Sequence, residues 1–261
     1  DNNDLGPAIS SHPDIAKVSF TGSTPTGKKI MASAAGTLKR LTLELGGNDA
    51  AVVLDDADVK KAAAGIFGSA FINSGQVCIA LKRLYVHDLI YDEMCEEIAS
   101  LANSAKVGNG LDADVEFGPV QNKMQYDKVC TLIEQAKADG KVIAGGKIPN
   151  TPGFNVPLTV VRDIDDSATL VSEEQFGPVL PIVRYSDLDD VIERVNNSPF
   201  GLGGSVWSSN LERAQQVAAR IDSGTVWINQ HTVFGPHIPF APAKQSGLGV
   251  EWGKEGLLEY T

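Results

Sequence analysis

The sequence predicts an α/β protein built on a mostly parallel sheet with helices on both faces. Two observations carry the prediction. Short β-type apolar runs alternate with helical patterns along nearly the whole chain, and in the second half each helix follows its strand closely. At 261 residues, 43% hydrophobic and 21% charged, the chain is long enough to bury a sizeable core, as one large domain or two small ones.

The elements follow in order. AKVSF (16–20) is a strand, and a helix runs from about Thr24 to Ala35. LTLEL (41–45) is a second strand, ended by Gly46-Gly47, and AAVVL (50–54) a third. The run Asp55-Asp56-Ala57-Asp58 then opens the apolar helix VKKAAAGIFGSAF (59–71), where the Asp58 carboxylate can accept from first-turn N–H groups. KRLYVHD (82–88) has period-2 strand character and YDEMCEEIASLANSAK (91–106) reads as a helix. A loop, VGNGLDADVEFGPV, joins it to the helix NKMQYDKVCTLIEQAKADG (122–140), which Gly140 terminates. The second half gives strands KVIAG, TVVRDI, VLPIVRY, GGSVWSS and GTVWIN and helices DLDDVIERVNN and NLERAQQVAAR. From Gln230 to Glu251 the alternation lapses into a Pro/Gly-rich stretch, and a long irregular loop in a compact domain usually serves function or an interface.

Charge and cysteine usage narrow the function classes. A net charge of −11 argues against nucleic acid or an anionic membrane as the main partner. No apolar run approaches the roughly 20 residues that cross a bilayer, and DNNDLGPAIS has no signal-peptide character. Cys78, Cys95 and Cys130 are few, odd in number and without metal-ligand spacing, so no metal site is expected and a reducing, cytoplasmic compartment is. The chain does not start with Met and its first strand follows a polar lead-in, so it reads as beginning partway through a larger protein.

Four loci carry residues suited to chemistry. FTGSTPTGKK (20–29) spells G-x-x-x-x-G-K from Gly22, where a strand end, a Gly22-Ser23 turn and a helix start would aim free N–H groups at an anion. A phosphate-binding P-loop needs a hydroxyl after the lysine, and Lys29 stands there instead. An NTPase is therefore disfavoured, and a capped helix without ligand is the plain alternative. In LTLEL the leucines share one face and Thr42 and Glu44 the other, which puts Glu44 at a strand's C-terminal end before two glycines. Ligands bind at that end of open α/β sheets, although a solvated surface glutamate fits the same pattern. Cys78 lies in the loop-like NSGQVCIA, whereas Cys95 and Cys130 sit in helical patterns and read as apolar fillers. An activated thiol at Cys78 would react below its ordinary pKa, and no histidine stands near it in sequence. SEEQFGPVLPI (172–182) sets Glu173, Glu174 and Phe176 before Gly-Pro, and its plain reading is a solvent-exposed approach to a strand.

In this order and spacing, FTGSTPTGKKI, LTLELGGNDA, NSGQVC, EEQFGPVLPI, GTVWIN and PFAPAKQSGLG closely resemble the NAD(P)-dependent aldehyde dehydrogenase superfamily, from about Lys17 to Thr261. The most specific part is LELGG with the cysteine of GQVC 34 residues after its glutamate. The resemblance implies the three-layer catalytic domain over 47–246, a remnant of the Rossmann-like cofactor domain over 1–46, and a C-terminal segment 247–261 leading toward an oligomerisation element. It makes Cys78 the nucleophile that forms a thiohemiacetal and then a thioester, Glu44 the base that activates hydrolytic water, and the Cys78 N–H an oxyanion donor. Partial burial would lift the Glu44 pKa toward neutrality.

For the cofactor, NAD or NADP, the resemblance assigns Gly22 and Ser23 to the phosphate and nicotinamide side, the backbone of Leu45 to the carboxamide, Glu174 to the nicotinamide ribose and Phe176 beside it. Phe240 would line the substrate tunnel. The partner is a small aldehyde, with a homodimer or homotetramer for the full-length protein. Two departures stand out. Relatives are about twice as long, and the missing part carries the adenine-side glycines and a side-chain amide of the oxyanion hole, so weak NAD binding by this chain is expected. Ala241-Pro242 stands where many relatives have Gly-Gly. A CoA-acylating relative commonly lacks the glutamate of LELGG, so Glu44 favours hydrolysis, while a non-catalytic member is the remaining alternative. His231 and His237 read as ordinary polar loop residues or as groups facing substrate.

Overall fold

The computed structural model describes residues 4–150 and 152–261. The chain opens with α1 (Leu5–Ser11), β1 (Lys17–Thr21), α2 (Thr24–Ala34), β2 (Arg40–Glu44), β3 (Asp49–Val53), α3 (Val59–Phe71), β4 (Leu81–His87) and α4 (Tyr91–Ser104). It continues through α5 (Lys123–Asp139), β5 (Lys141–Ala144), β6 (Thr159–Arg162), α6 (Thr169–Ser172), β7 (Val179–Tyr185), α7 (Leu188–Asn196), β8 (Phe200–Gly201) and β9 (Gly203–Trp207). Then follow α8 (Leu211–Ala218), β10 (Thr225–Ile228), β11 (Ala243–Lys244), β12 (Gly247–Leu248) and α9 (Gly253–Leu258).

The main sheet has seven strands in the order β10-β9-β3-β4-β7-β6-β5. All its pairings are parallel except β5 with β6. The central strand β3 is buried on both faces because successive side chains feed opposite layers. Val52 joins Tyr85, Leu132, Val191 and Val217 under α5, α7 and α8, and Val53 joins Ile66, Leu84, Met94 and Ile98 under α3 and α4. Each such aliphatic side chain contributes about 1.5–3 kcal/mol of burial, so β3 and β4 form a rigid floor for the loops at their ends. Capping behaves as the sequence indicates, with Asp58 accepting from Lys61 N at 3.2 Å.

A smaller sheet, β1-β2-β12, pairs β1 and β2 in parallel and β12 antiparallel to β2. The C-terminal segment thus returns to the first elements of the chain. Lys17 Nζ meets Glu259 at 3.0 Å, and Arg40 donates to the Thr261 carbonyl at 2.7 Å. The stretch read as wholly irregular therefore contains β11 and β12. Their two-residue pairings leave no periodicity in sequence, and neither do the short helices α1, α6 and α9. Gly140 ends α5 in an extended conformation (φ −156°) rather than a left-handed cap. A side chain there would stand 2.8 Å from the Arg162 carbonyl, which is why glycine fits. No helix among the described residues is long and apolar enough to cross a membrane.

Candidate active site

Glu44 is the last residue of β2, paired across to Thr21 on one side and Gly247 on the other. That central position buries it to 4% exposure, and Thr42 to 0%, so the solvated-glutamate alternative is overturned. The two-sided packing of β2 decided this, and strand periodicity cannot see it. Neither Glu44 carboxylate oxygen has a hydrogen-bond partner among the described residues. Burial, reinforced by the charge of Glu251, pushes its pKa up to about 8. Glu251 arrives through a backbone bridge to Phe240, with two bonds of 2.8 Å.

The Cys78 loop is shaped by a left-handed turn. Asn73, Ser74 and Gly75 take φ values of 49°, 55° and 72° where α3 gives way to the loop. At Gly75 a Cβ would lie 2.2 Å from the Gly177 carbonyl, so close approach to the 173–178 turn requires glycine. Ser74 Oγ ties the turn to the Gly118 carbonyl at 2.7 Å. Cys78 itself is half-buried, Cys95 is buried and Cys130 half-buried. Burial pushes the Cys78 thiol above its ordinary range; Lys82 and the Ile79 N–H pull it down, and Asp49 and Glu44 push it further up. The expectation of a depressed thiol pKa is thereby reversed for this resting geometry, since desolvation outweighs the ammonium. No hydrogen bond joins Cys78 to a histidine among the described residues.

The third piece is the 173–178 turn, where Glu173 is exposed as the plain reading expects but Glu174, Gln175 and Phe176 are anchored. Glu174 Oε1 accepts from Gly47 N at 2.9 Å. Gln175 is fully buried and donates to the carbonyls of Lys82 and Leu170, both at 2.9 Å. Phe176 takes a positive φ of 51°, held by α5: Gln125 donates to the carbonyls of Gln175 and Phe176 at 2.7 and 3.0 Å, and Lys128 to that of Glu174 at 2.7 Å.

Gly46-Gly47 is where the pieces meet. A Cβ on Gly46 would stand 2.8 Å from Glu174 Oε2, and one on Gly47 would stand 2.5 Å from the Cys78 carbonyl. Glu174 and the Cys78 loop, 96 positions apart in sequence, thus meet at the double-glycine corner that follows β2, and Glu44, two residues before it, is near enough to Cys78 for its charge to push the thiol up. Phe240 is buried with Ile79, Leu202 and Trp227, and Val77 and Cys78 pack against that cluster.

The Gly22 locus offers fewer anion donors than its pattern suggests. Gly22 N is spent on the Glu44 carbonyl at 3.0 Å, Pro25 has no N–H, and Ser23 Oγ caps α2 by accepting from Thr26 N. Only the Ser23 and Thr24 N–H groups lack acceptors among the described residues. Leu45 N donates to Ser246 O at 2.9 Å, which leaves its carbonyl as the group able to receive a carboxamide. His231, read as a polar loop residue, is buried instead: Nε2 lies 3.0 Å from the Ile79 carbonyl and 3.4 Å from Asp49. His237 is exposed.

With this geometry in view, the whole chain, residues 1–261, matches the model of the aldehyde dehydrogenase family. The chain belongs to the aldehyde dehydrogenase family. It is 41% identical over 262 residues to a betaine aldehyde dehydrogenase of Rhizobium etli, covering 99% of this chain and 54% of that protein. Among solved structures it is similar to an NAD+ complex of an aldehyde dehydrogenase from Bacillus cereus, at TM-score 0.94 and 42% identity, over 98% of this chain and 52% of the other. A lactaldehyde dehydrogenase of Escherichia coli matches at TM-score 0.94 and 35% identity, over 98% of this chain and 54% of the other. The chain spans about half the length of the relatives it matches.

Sequence reasoning about this aldehyde dehydrogenase family member missed Lys82, Gln175 and Glu251. Nothing local marks Lys82, because a lysine is ordinarily exposed and its burial in LKRLYV depends on the carbonyls the fold sets around it. Nor does anything local mark Glu251, whose proximity to Glu44 depends on the return of the C-terminal segment. An open cleft of about 550 Å³ beside α3, lined by Lys61, Trp207, Ser208, Asn229 and His231, contains neither Cys78 nor Glu44.

Proposed function

We propose that this chain carries the reacting centre of an NAD(P)-dependent aldehyde dehydrogenase, oxidising an aldehyde to a carboxylic acid. The observation that carries the reading is the meeting of the Cys78 loop and anchored Glu174 at Gly46-Gly47, with buried Glu44 two residues before that corner and electrostatically coupled to Cys78. The Cys78 sulfur adds to the aldehyde carbonyl, and the Cys78 N–H supports the oxyanion of the thiohemiacetal. When bound, the nicotinamide cofactor supplies the acceptor for the hydride whose departure leaves a thioester. Glu44, once ionised, takes a proton from water, the water oxygen displaces the Cys78 sulfur, and the carboxylic acid leaves. With its pKa near 8, Glu44 acts as a base over the alkaline side of neutrality.

For the cofactor, the Ser23 hydroxyl and the free N–H groups of Ser23 and Thr24 suit a phosphate oxygen, the Leu45 carbonyl a carboxamide, and Glu174 a ribose hydroxyl, with Phe176 beside it. Gly22 serves by binding the Glu44 carbonyl and holding the turn open. Phe240, a member of the apolar cluster against which Cys78 packs, walls the aldehyde's approach. The retained Glu44 favours hydrolysis over acyl transfer to coenzyme A. In this reading NAD binding by this chain alone is weak, and the full-length protein is a homodimer or homotetramer of the cytoplasm.

The test is an activated ester, which acylates the nucleophile without any nicotinamide. Incubation with p-nitrophenyl acetate followed by peptide mapping is expected to place the acetyl group on Cys78, with turnover, and Cys78→Ser to abolish both. Acetylation confined to lysines, unchanged in the Cys78→Ser chain, would sink the assignment.

A further inference from the structure

The nucleophile loop has a feature that the aldehyde chemistry above does not use. Four consecutive carbonyls, from Val77 to Ala80, face buried donors. Lys82 Nζ donates to Val77 O at 2.8 Å, Cys78 O at 2.9 Å and Ala80 O at 3.1 Å, and His231 Nε2 takes the fourth, Ile79 O, at 3.0 Å. Lys82 is 3% exposed. Three acceptors match the three protons of an ammonium, whereas a neutral amine has two. Burial pulls the Lys82 pKa down, while the charges of Asp49, Glu174 and Cys78 hold it up.

This arrangement is not neutral in energy. Three carbonyl dipoles aimed at one point are stabilised by the positive charge between them, and the Val77 oxygen also takes the Ala80 N–H at 3.0 Å. The stem of Lys82 is fixed as the second residue of β4, and its own carbonyl is bound by buried Gln175 at 2.9 Å.

Peptide planarity carries the consequence to the reacting atoms. In a trans peptide the C=O of one residue is antiparallel to the N–H of the next, and no cis peptide is present among the described residues. Val77 C=O, held by Lys82 and also by the Ala80 N–H at 3.0 Å, turns the Cys78 N–H the other way, and Cys78 C=O, held by Lys82, does the same for the Ile79 N–H. Neither N–H donates to a backbone carbonyl among the described residues. The first is the oxyanion donor of the proposed reaction, and the second is the backbone group that favours the Cys78 thiolate.

We propose that Lys82 is the positioning residue of the nucleophile: by gripping the carbonyls of Val77 and Cys78 from below, it fixes the two peptide planes whose N–H groups face the reacting sulfur and its oxyanion. The oxyanion half rests on the aldehyde dehydrogenase reading, and the thiolate half does not. Lys82 touches no substrate and acts only through these planes and through its charge.

The experiment is the pH profile of iodoacetamide labelling at Cys78 in the native chain and in Lys82→Met, with Cys130 as internal control. Lys82→Met is expected to move the Cys78 midpoint up by about one pH unit or more, a tenfold loss of labelling on the acid side, with the Cys130 profile unchanged. An unchanged Cys78 midpoint in a folded Lys82→Met chain overturns the proposal, as does an equal shift at both cysteines, which marks general loosening. Alkylation needs no aldehyde chemistry, so failure of the ester test leaves this readout intact.

If Lys82→Met does not fold, the unaltered chain still decides. Labelling with [13C-carbonyl]cysteine and [15N]isoleucine marks one peptide bond, Cys78–Ile79, because no other cysteine precedes an isoleucine. Its amide proton is expected to titrate with the Cys78 thiol. An amide shift that stays flat through the thiol midpoint places the N–H elsewhere and refutes the fixed plane.

Discussion

Replacing Glu44 by Gln tests the buried carboxyl through stability, independently of any substrate. In the folded chain its pKa is about 8, against 4.5 as the ordinary value. Below pH 4.5 both folded and unfolded chains hold the proton and Glu44 contributes no pH dependence. Between 4.5 and 8 the unfolded chain releases the proton while the folded chain keeps it, so stability falls as pH rises. Above 8 both are ionised and the effect levels off. Each pH unit inside the window is worth about 1.4 kcal/mol, so the native chain loses about 4 kcal/mol at most between pH 5 and pH 9 through this one group. Water entering the cleft beside the ionised carboxylate reduces the figure. Gln is isosteric and does not titrate, and whatever its amide costs is the same at every pH. Urea unfolding at pH 5, 7 and 9 is therefore expected to show Glu44→Gln gaining on the native chain as pH rises, most steeply between pH 5 and 8. Parallel curves for the two chains would refute the claim that Glu44 is held protonated by burial and by Glu251.

Two further substitutions probe the corner that assembles the site. Gly75→Ala introduces a Cβ at positive φ and 2.2 Å from the Gly177 carbonyl, so strain and overpacking together are expected to cost about 3 kcal/mol or more; an unchanged urea midpoint would show that the turn does not need glycine. Gln175→Ala strips the only side-chain donors among the described residues from the carbonyls of Lys82 and Leu170, for an expected loss of about 2–4 kcal/mol, and a melting temperature within a degree of the native chain would contradict it.

Much of the fold was legible because its signals are local. The helix starts at Asp58, Asn122, Asp187 and Asn210 each carry a side chain that accepts from a first-turn N–H, a contact that needs only neighbouring residues. The segments 50–54 and 179–185 announced themselves as strands by apolar β-branched content, and 82–88 by its period-2 character. Pairings two residues long, such as β11 with β8 and β12 with β2, have no such signature. Cys78 was separable from Cys95 and Cys130 because a loop context differs from a helical period. The fate of Glu44 was not legible, since an alternating strand gives the same pattern whether its polar face meets water or a second layer.

By itself the sequence determined the order and type of the main elements, the parallel α/β class and the motifs that mark the family, because each depends on residues close together in the chain. Tertiary structure alone decided the chemistry of the site. It buried Glu44 and brought Glu251 beside it, spent the Gly22 N–H on the Glu44 carbonyl, raised rather than lowered the Cys78 thiol, and set Lys82 under the Cys78 loop. The physical reason is common to all four: desolvation, charge proximity and hydrogen-bond satisfaction depend on what the rest of the fold places around a group.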